Sequence, residues 1–549
     1  MKSLAGSLSI LFAFVFALSA CSPAASTGGD PAASPAASQP TIPLDGLATA
    51  ATFPTQTPTG PQPTPTPLSA GPDLKDFPPG YNPLTGQPML DPATADLPAM
   101  LISISNFPAE ARPQAGLSFA DYVFEFSITE GATRFLSVFY GGFPQLEIPL
   151  TSNCEIRMLP FVQTGRILLG NRVWLDSNEN GAQDFGEPGV GGVCVNLYGP
   201  DGGIIDQTTT DSNGYYGFNI ASPQPAGARP YVIEVVQPPG MLFTKFKAAN
   251  DATDSDVDPP SGRMEVHATS TRLDLDAGLF IVPGPTPTPD PATKPPQPEV
   301  GPVRSGRLIY ADFANMFQDS CLVYAFASEE VLAQIPTCSM VVHEFSGGGA
   351  MLPLDRMRSI AEDNRKADTQ FNYSSNLYTD LPPIGGSPGT RLDVYFALLN
   401  QSGWTYDPLM QSYLRFRDES KKETAGQLQP DTDRLTSRQL HFENIIVLMT
   451  DHVVVSPTNL DIDLAQGGKG YAYLFRDGLE YPIQWSTLSG EYEKKTGFRR
   501  PIQWLNPDGS LFPLKPGHTW VMIVTPYSSF TDAGGGAWKL RFYPPEGSQ

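Results

Sequence analysis

The sequence predicts a mainly β protein with an α+β region, carried on an exported chain. Short runs of β-branched and aromatic residues, bounded by turn residues, recur through most of its length. Its 57 prolines and 51 glycines make about a fifth of 549 residues, a share that marks linkers and turn-rich β structure. Only two stretches carry helical signals. Ser328 precedes Glu329-Glu330-Val331-Leu332 as a capped short helix, and residues 355–366 place Met357, Ile360 and Ala361 on one side.

Taken in order, strands are expected at 100–106, 122–127 and 133–140, and the same texture continues at 307–313, 321–326 and 340–345. Beyond Gly389 the pattern is strands and turns, at 391–398, 444–450, 470–475 and 520–525, so the α+β region is followed by a mainly β one. Two strand-like stretches, 166–175 and 192–198, flank an acidic loop. Asp211-Ser212-Asn213-Gly214 reads as a hairpin turn.

The N-terminus reads as an export leader. Lys2 supplies a positive start, and residues 9–20 are apolar but too short to span a bilayer. Leu18-Ser19-Ala20-Cys21 resembles a bacterial lipobox. The resemblance implies that Cys21 takes a diacylglycerol thioether, becomes the mature N-terminus and holds the chain at a membrane. An ordinary secretory signal with an incidental cysteine is the alternative. Residues 21–79, rich in Ala, Ser, Thr and Pro, lack the apolar surface to offset the entropy of ordering and read as a stalk. Residues 282–298 form a second Pro-rich linker. No later run of apolar residues reaches membrane-spanning length.

With 35 basic against 57 acidic residues the net charge is −22, which repels nucleic-acid phosphates and favours solubility and cation binding. Apart from Cys21, the cysteines are Cys154, Cys194, Cys321 and Cys338, which allow three pairings. Cys321 and Cys338 flank the short helix and are the first candidates for a disulfide; isolated buried thiols are the alternative. No spacing of Cys and His suggests zinc.

The sharpest local signal runs from Asp176 to Glu187 (DSNENGAQDFGE) and matches the twelve-position calcium loop. Asp176, Asn178 and Asn180 place oxygens at positions 1, 3 and 5, and Gly181 supplies the sharp turn at 6. The Ala182 carbonyl falls at position 7, Asp184 at 9, and Glu187 at 12 can bind through both oxygens. This points to Ca2+ held in a loop between strands; an Asx-rich turn without metal is the alternative. Asp254, Asp256 and Asp258 form a second, weaker candidate, for which a solvated acidic loop is the bland reading.

GNRVWLDSNENGAQDFGEPGVGGVCVNLYGPDG, TTTDSNGYYGFNI, DATDSDVDP and LDLDAGLF together resemble the B domain of serine-aspartate-repeat surface adhesins, the SdrD B-like domain. The resemblance implies an immunoglobulin-like β-sandwich at 165–281, stiffened by calcium on the loop just described. Cys194 is not part of that pattern.

The flanking sequence is similar to a different family. NPLTG at 82–86, ARPQAGL at 111–117, Glu125, EG at 130–131, TRF at 133–135 and VGPVRS at 300–305 resemble the YerB-type bacterial lipoproteins, whose main domains have no assigned function. YDP at 406–408, LDID at 460–463, FRDG at 475–478 and LKPGHTW at 514–520 resemble that family's C-terminal domain. The implied plan is a leader (1–20), the stalk, an N-terminal domain split into 80–164 and 299–385 by the inserted sandwich, a C-terminal domain (386–530) and a tail (531–549).

These motifs contribute Arg112, Glu125, Glu130, Arg134, Arg304 and Arg307, which could line a polar pocket for a carboxylate or phosphate or form an ion-pair network fixing loops. Glu125 and Glu130 could do acid/base work on a glycan only if a turn brought them together. A serine, Ser375, stands where relatives carry histidine, and no histidine sits in a nucleophile–base pattern. Trp404, Trp485, Trp504 and Trp520 could stack on sugars or fill the core. The reading is a lipid-anchored envelope protein that binds or scaffolds a cell-wall polymer or an envelope protein. An enzyme acting on wall glycan or peptide through Arg112, Glu125, Arg134 and Arg304 is the alternative; an adhesin resting on the inserted module alone is a third.

Overall fold

A computed structural model describes residues 69–145, 166–184, 187–211, 213–220, 223–225, 227–282, 298–341, 350–366, 371–408, 410–456, 459–462, 464 and 468–548. The leader, Cys21, Cys154 and most of both Pro-rich segments lie outside these residues.

The first folded stretch contains β1 (Met100–Ser105), β2 (Tyr122–Thr129) and β3 (Ala132–Phe139). A two-residue turn joins β2 to β3, with Glu130 and Gly131 both at positive φ (42° and 77°), the backbone that matches the twist of a tight hairpin. The insert then supplies β4 (Ile167–Leu175), β5 (Cys194–Tyr198), β6 (Ile204–Thr209), β7 (Tyr215–Ile220), β8 (Tyr231–Val235), β9 (Met241–Phe243), β10 (Arg263–Val266) and β11 (Ala277–Ile281). Two four-stranded sheets, β7-β4-β11-β9 and β10-β8-β5-β6, enclose a core of their own that includes Leu169, Val195, Phe218 and Ile233. This is the sandwich expected from the resemblance.

The chain re-enters the body at β12 (Glu299–Val303), followed by α1 (Tyr310–Met316), β13 (Cys321–Tyr324), α2 (Glu329–Leu332) and α3 (Leu354–Asp363). Then come β14 (Arg391–Ala397), β15 (Asn400–Asp407), β16 (Ser412–Arg417), β17 (Asn444–Met449), β18 (Lys469–Arg476), β19 (Leu479–Ser486), β20 (Thr519–Val524), β21 (Ser529–Gly534) and β22 (Ala537–Arg541). One mixed sheet of thirteen strands runs β13-β1-β3-β2-β20-β17-β18-β19 through its centre. It crosses the expected domain boundary, because β2 pairs in parallel with β20, Glu125 beside Met522. A seven-stranded sheet contains β16-β15-β14-β22-β21.

Alternation explains why the large sheet is apolar on both sides. Phe124, Phe126, Leu136, Ile446 and Val521 face a core closed by α1, while Val123, Phe135, Ile445 and Trp520 face a second core shared with α3 and the seven-stranded sheet. The mainly β class with α+β character is therefore the class observed.

Several expectations need correction. Residues 307–313 are not a strand; their apolar positions continue as Tyr310, Phe313 and Met316, the buried face of α1. Of 340–345, only Met340 lies in a described strand (Ser339–Met340), and 342–345 fall outside the described residues. Asp211 and Gly214 do not close a hairpin: β6 and β7 belong to opposite sheets, so this turn carries the chain across the sandwich. Gly214 is needed there, because its φ is +84° and a Cβ would lie 2.2 Å from the Val173 carbonyl oxygen. The stalk ends earlier than 79, since Ser69–Ala70 pairs with Tyr378–Thr379 and Phe77 is buried. Nor are residues 531–548 a tail: β21 and β22 form an edge hairpin that buries Leu540.

Candidate cation and anion sites

β4 ends at Leu175 and delivers Asp176 into the acidic loop. Asp176 and Glu187 are buried, at 1% and 8% exposure. Glu187 accepts the Ser177 N–H on Oε1 (2.7 Å) and the Asp184 N–H on Oε2 (3.0 Å). Asp176 Oδ2 accepts from the Gly181 N–H (2.8 Å) and the Thr244 hydroxyl. The side-chain amides of Asn178 and Asn180 both donate to Asp184 Oδ2, at 2.8 and 2.6 Å. Glycine is required at 181, where φ is +86° and a Cβ would sit 2.7 Å from that of Ala248. Ala182 bridges to Asp254 and ties the loop to the second acidic segment.

Burial pushes the Glu187 carboxyl up to about 7; the N–H groups of Asp184 and Ser177 oppose this, while the charges of Asp176 and Asp184 add to it. No lysine or arginine pairs with Asp176, Asp184 or Glu187 among the described residues. The donor set therefore fits a hard cation: all its side chains offer oxygen, and its negative charge is uncompensated. A half-turn of the two amides replaces Nδ2 with Oδ1 towards Asp184. The three carboxylates do not converge to within 4.8 Å of one another; among the described residues that property belongs to Asp251, Asp254 and Asp256.

The second cluster thus differs from the expected Asp254, Asp256 and Asp258. The Lys247 ammonium lies among its carboxylates, 2.6 Å from Asp251, 3.7 Å from Asp254 and in contact with Asp256. Asp258 belongs to the next turn, where it accepts from the Ser261 hydroxyl at 2.6 Å. A lysine side chain fills the place a second cation would take.

The expected arginine–carboxylate pocket is divided by the large sheet. On β2, Glu125 faces the core shared with the seven-stranded sheet. Its oxygens accept from Thr133 Oγ1 (2.8 Å) and Trp520 Nε1 (3.1 Å), and Arg415 Nη2 lies at 3.5 Å. Arg415 also pairs with Asp431 at 2.6 Å and stacks over the Trp520 ring, 4.4 Å from its centroid. Arg112 reaches the Asn106 carbonyl (2.9 Å) and Ser420 Oγ (2.6 Å); burial and the neighbouring Arg417 lower it to about 10. Glu130 stands apart in the β2–β3 turn.

Arg134 lies on the opposite face of the sheet. It sits across from Phe126 and near Tyr310, and the charges acting on it besides Tyr310 are those of Arg307 and Arg304. Burial lowers its guanidinium to about 9; Tyr310 opposes the fall and the two arginines deepen it. Arg304 Nε donates to Ser105 Oγ at 3.3 Å, and Ser103 Oγ lies 2.7 Å from the Tyr310 hydroxyl.

Cys321 and Cys338 are joined in a disulfide, with Cα atoms 5.1 Å apart, and Cys194 is disulfide-bonded as well. Trp404, Trp485, Trp504 and Trp520 are all core residues, at most 3% exposed. A cavity of about 340 Å³ opens where Arg172, Glu187 and Tyr215 of the sandwich meet His441, Glu443 and His518 of the body. His441 and Glu443, two apart on an extended segment, share one face, which is the one signal of this grouping in the sequence. Burial pushes Glu443 up, but the hydrogen bond from His441 and the charges of His441 and His518 outweigh it and hold the carboxyl at about 2.

Comparison with known proteins assigns the regions. Residues 84–152 match the N-terminal domain, and 392–521 the C-terminal domain, of a protein family of unknown function, DUF3048; residues 167–279 match the SdrD B-like domain. A fibrinogen-binding protein of Staphylococcus epidermidis is 40% identical over 124 residues, 22% of this chain and 10% of that one. Serine-aspartate repeat-containing protein F of S. epidermidis is 37% identical over 121 residues (22% and 7%), and protein C of Staphylococcus aureus 35% over 122 (22% and 12%). The chain thus spans about a tenth of the length of these relatives. Among solved structures, the YerB protein from Bacillus subtilis aligns over 81% of this chain and 96% of its own, with 18% identity and a TM-score of 0.41. The chain carries the N- and C-terminal domains of the DUF3048 family with an SdrD B-like domain between them.

Proposed function

We propose that this protein is a lipid-anchored binding or scaffolding protein of the bacterial cell envelope, whose inserted sandwich is stiffened by calcium. One observation carries the calcium reading: a loop between strands holds four carboxylates, those of Asp176 and Glu187 buried, and among the described residues no lysine or arginine pairs with Asp176, Asp184 or Glu187. Asp176, Asn178, Asn180, the Ala182 carbonyl, Asp184 and Glu187 would hold the ion, which supplies the counter-charge the loop lacks. Disulfides at Cys321–Cys338 and at Cys194 support a compartment outside the reducing cytoplasm. The leader and Cys21 support tethering. No helix among the described residues is long and apolar enough to cross a membrane. The relative with 40% identity is named for binding fibrinogen, which favours a protein or polymer partner over a small metabolite.

Thermal melts of the soluble chain 22–549 test the ion. Calcium at about a hundredfold its dissociation constant adds about 2.7 kcal/mol, a rise of several degrees that chelation reverses and that Asp176→Ala or Glu187→Ala abolishes. Coincident melts with calcium and with chelator would sink the reading. Partition of the full-length protein into detergent, lost in Cys21→Ser, tests the anchor; unchanged partition rejects it.

A further inference from the structure

Among the described residues, three arginines are at most 5% exposed. Arg415, at most 2% exposed, is compensated by Glu125, Asp431 and three aromatic rings. Arg476, at 0%, pairs with Asp477 and donates to the carbonyls of Pro513, Thr379 and Leu381. Arg134 is the exception. It is 5% exposed, its Nε and Nη1 are buried, and neither has a hydrogen-bond partner. Among the described residues no carboxylate acts on it, and its charged neighbours are two more arginines.

An isolated buried charge with unmade hydrogen bonds costs several kcal/mol, and a second and third like charge nearby raise that cost. The arrangement is stable as a receptor for an anion that the guanidinium forks can grip through two or more oxygens. Hydroxyl groups suited to the same ligand lie beside the arginines: Ser103, Ser105 and Tyr310. Arg304 and Arg307 are only partly buried, so the cluster reaches the surface through them. Among the described residues, the acid acting on the cluster is Asp461, near Arg307.

We propose that Arg134, Arg304 and Arg307 form a binding site for a small oxyanion group, a phosphate or a carboxylate, on the α1 face of the large sheet. Such groups are the charged ends of many envelope polymers and peptides. The site lies outside the acidic loop and does not depend on calcium, so its failure leaves the cation reading untouched.

The test uses the soluble chain 22–549 in a chloride buffer, with inorganic phosphate in one arm and acetate in the other, read by calorimetry and by thermal melts. One of the two binds saturably in the millimolar range or tighter, and the better ligand identifies phosphate or carboxylate as the group recognised. Arg304→Gln, at a partly exposed position, weakens that binding at least about tenfold, one lost charge-assisted hydrogen bond. In Arg134→Met the ligand-induced rise in Tm disappears, while the ligand-free Tm is at or above that of the unaltered chain because an unpaired buried charge is gone. If Arg134→Met does not fold, Arg304→Gln decides alone. No saturable binding of either anion, or equal binding in Arg304→Gln, overturns the proposal.

Discussion

Glu125 shows what a single buried charge does when it is paired. Its carboxylate accepts from Thr133 and Trp520 and lies 3.5 Å from Arg415, which is held in turn by Asp431. The network joins β2 to β16 across the interior between the two large sheets. Removing one partner leaves the others charged and dry. Glu125→Ala or Asp431→Ala is therefore expected to cost about 3–5 kcal/mol in urea unfolding, with Glu125→Gln milder because an amide oxygen still accepts from Thr133. A wild-type midpoint in Glu125→Ala would show that the network holds nothing. The sequence marks Glu125 and Arg134 as unusual, and both are. It does not show that they lie on opposite faces, because that depends on which positions pair across the hairpin: Glu125 with Phe135, and Phe126 with Arg134. Arg415 and Asp431 escaped notice because their partners are distant in the chain.

At the level of elements, legibility followed the length of the pattern. β17 and β20 each carry five consecutive apolar or aromatic residues, β2 and β3 shorter runs interrupted by Glu125, Ser127 and Ser137, and all four are plain in the sequence. α2 was marked by its cap, and Ser328 Oγ accepts the Val331 N–H at 3.4 Å. α3 was marked by Met357, Ile360 and Ala361, all buried. α1 is hidden because Leu308-Ile309-Tyr310 has strand texture, and the helical period shows only when Phe313, Met316 and Phe317 are counted with it. The edge hairpin β21–β22 is hidden because Gly534-Gly535-Gly536, all at positive φ, looks like a flexible end when it is a turn. The acidic loop is legible as a turn between strands, since the residues that close it are set by spacing within one segment. The second cluster was less so, because Asp251 and Lys247 enter it through the fold of the loop.

At the scale of the molecule, one sheet binds the N- and C-terminal domains together, and a boundary read from sequence motifs hides this because parallel pairing of β2 with β20 joins residues about four hundred positions apart. That shared interior also sets the response to acid. Burial pushes His452 down to about 4, against the Thr450 carbonyl and Asp451, and likewise His518, where Glu443 opposes the fall and His441 and Arg438 add to it. A base whose folded pKa lies below its unfolded value binds fewer protons when folded. Its contribution to stability is complete above pH 6.5 and is lost as pH falls towards about 4. Glu480 works the other way: burial and Asp532 push it up to about 7, so its contribution is complete at acid pH and fades as pH rises through 7. The whole-protein curve sums such opposing groups, so the informative quantity is a difference between variants. His452 packs against Phe542, with ring centroids 5.7 Å apart, and its Nε2 has no partner, so phenylalanine keeps the ring packing and gives up one hydrogen bond, that of Nδ1 to the Thr450 carbonyl (3.0 Å). Between pH 7 and pH 5, His452→Phe should lose roughly 1–2 kcal/mol less stability than the unaltered chain, a difference of a few degrees in Tm. Parallel melting curves for the two proteins across that range would mean that His452 takes up its proton without opening the fold, and the acid sensitivity would then belong to other groups.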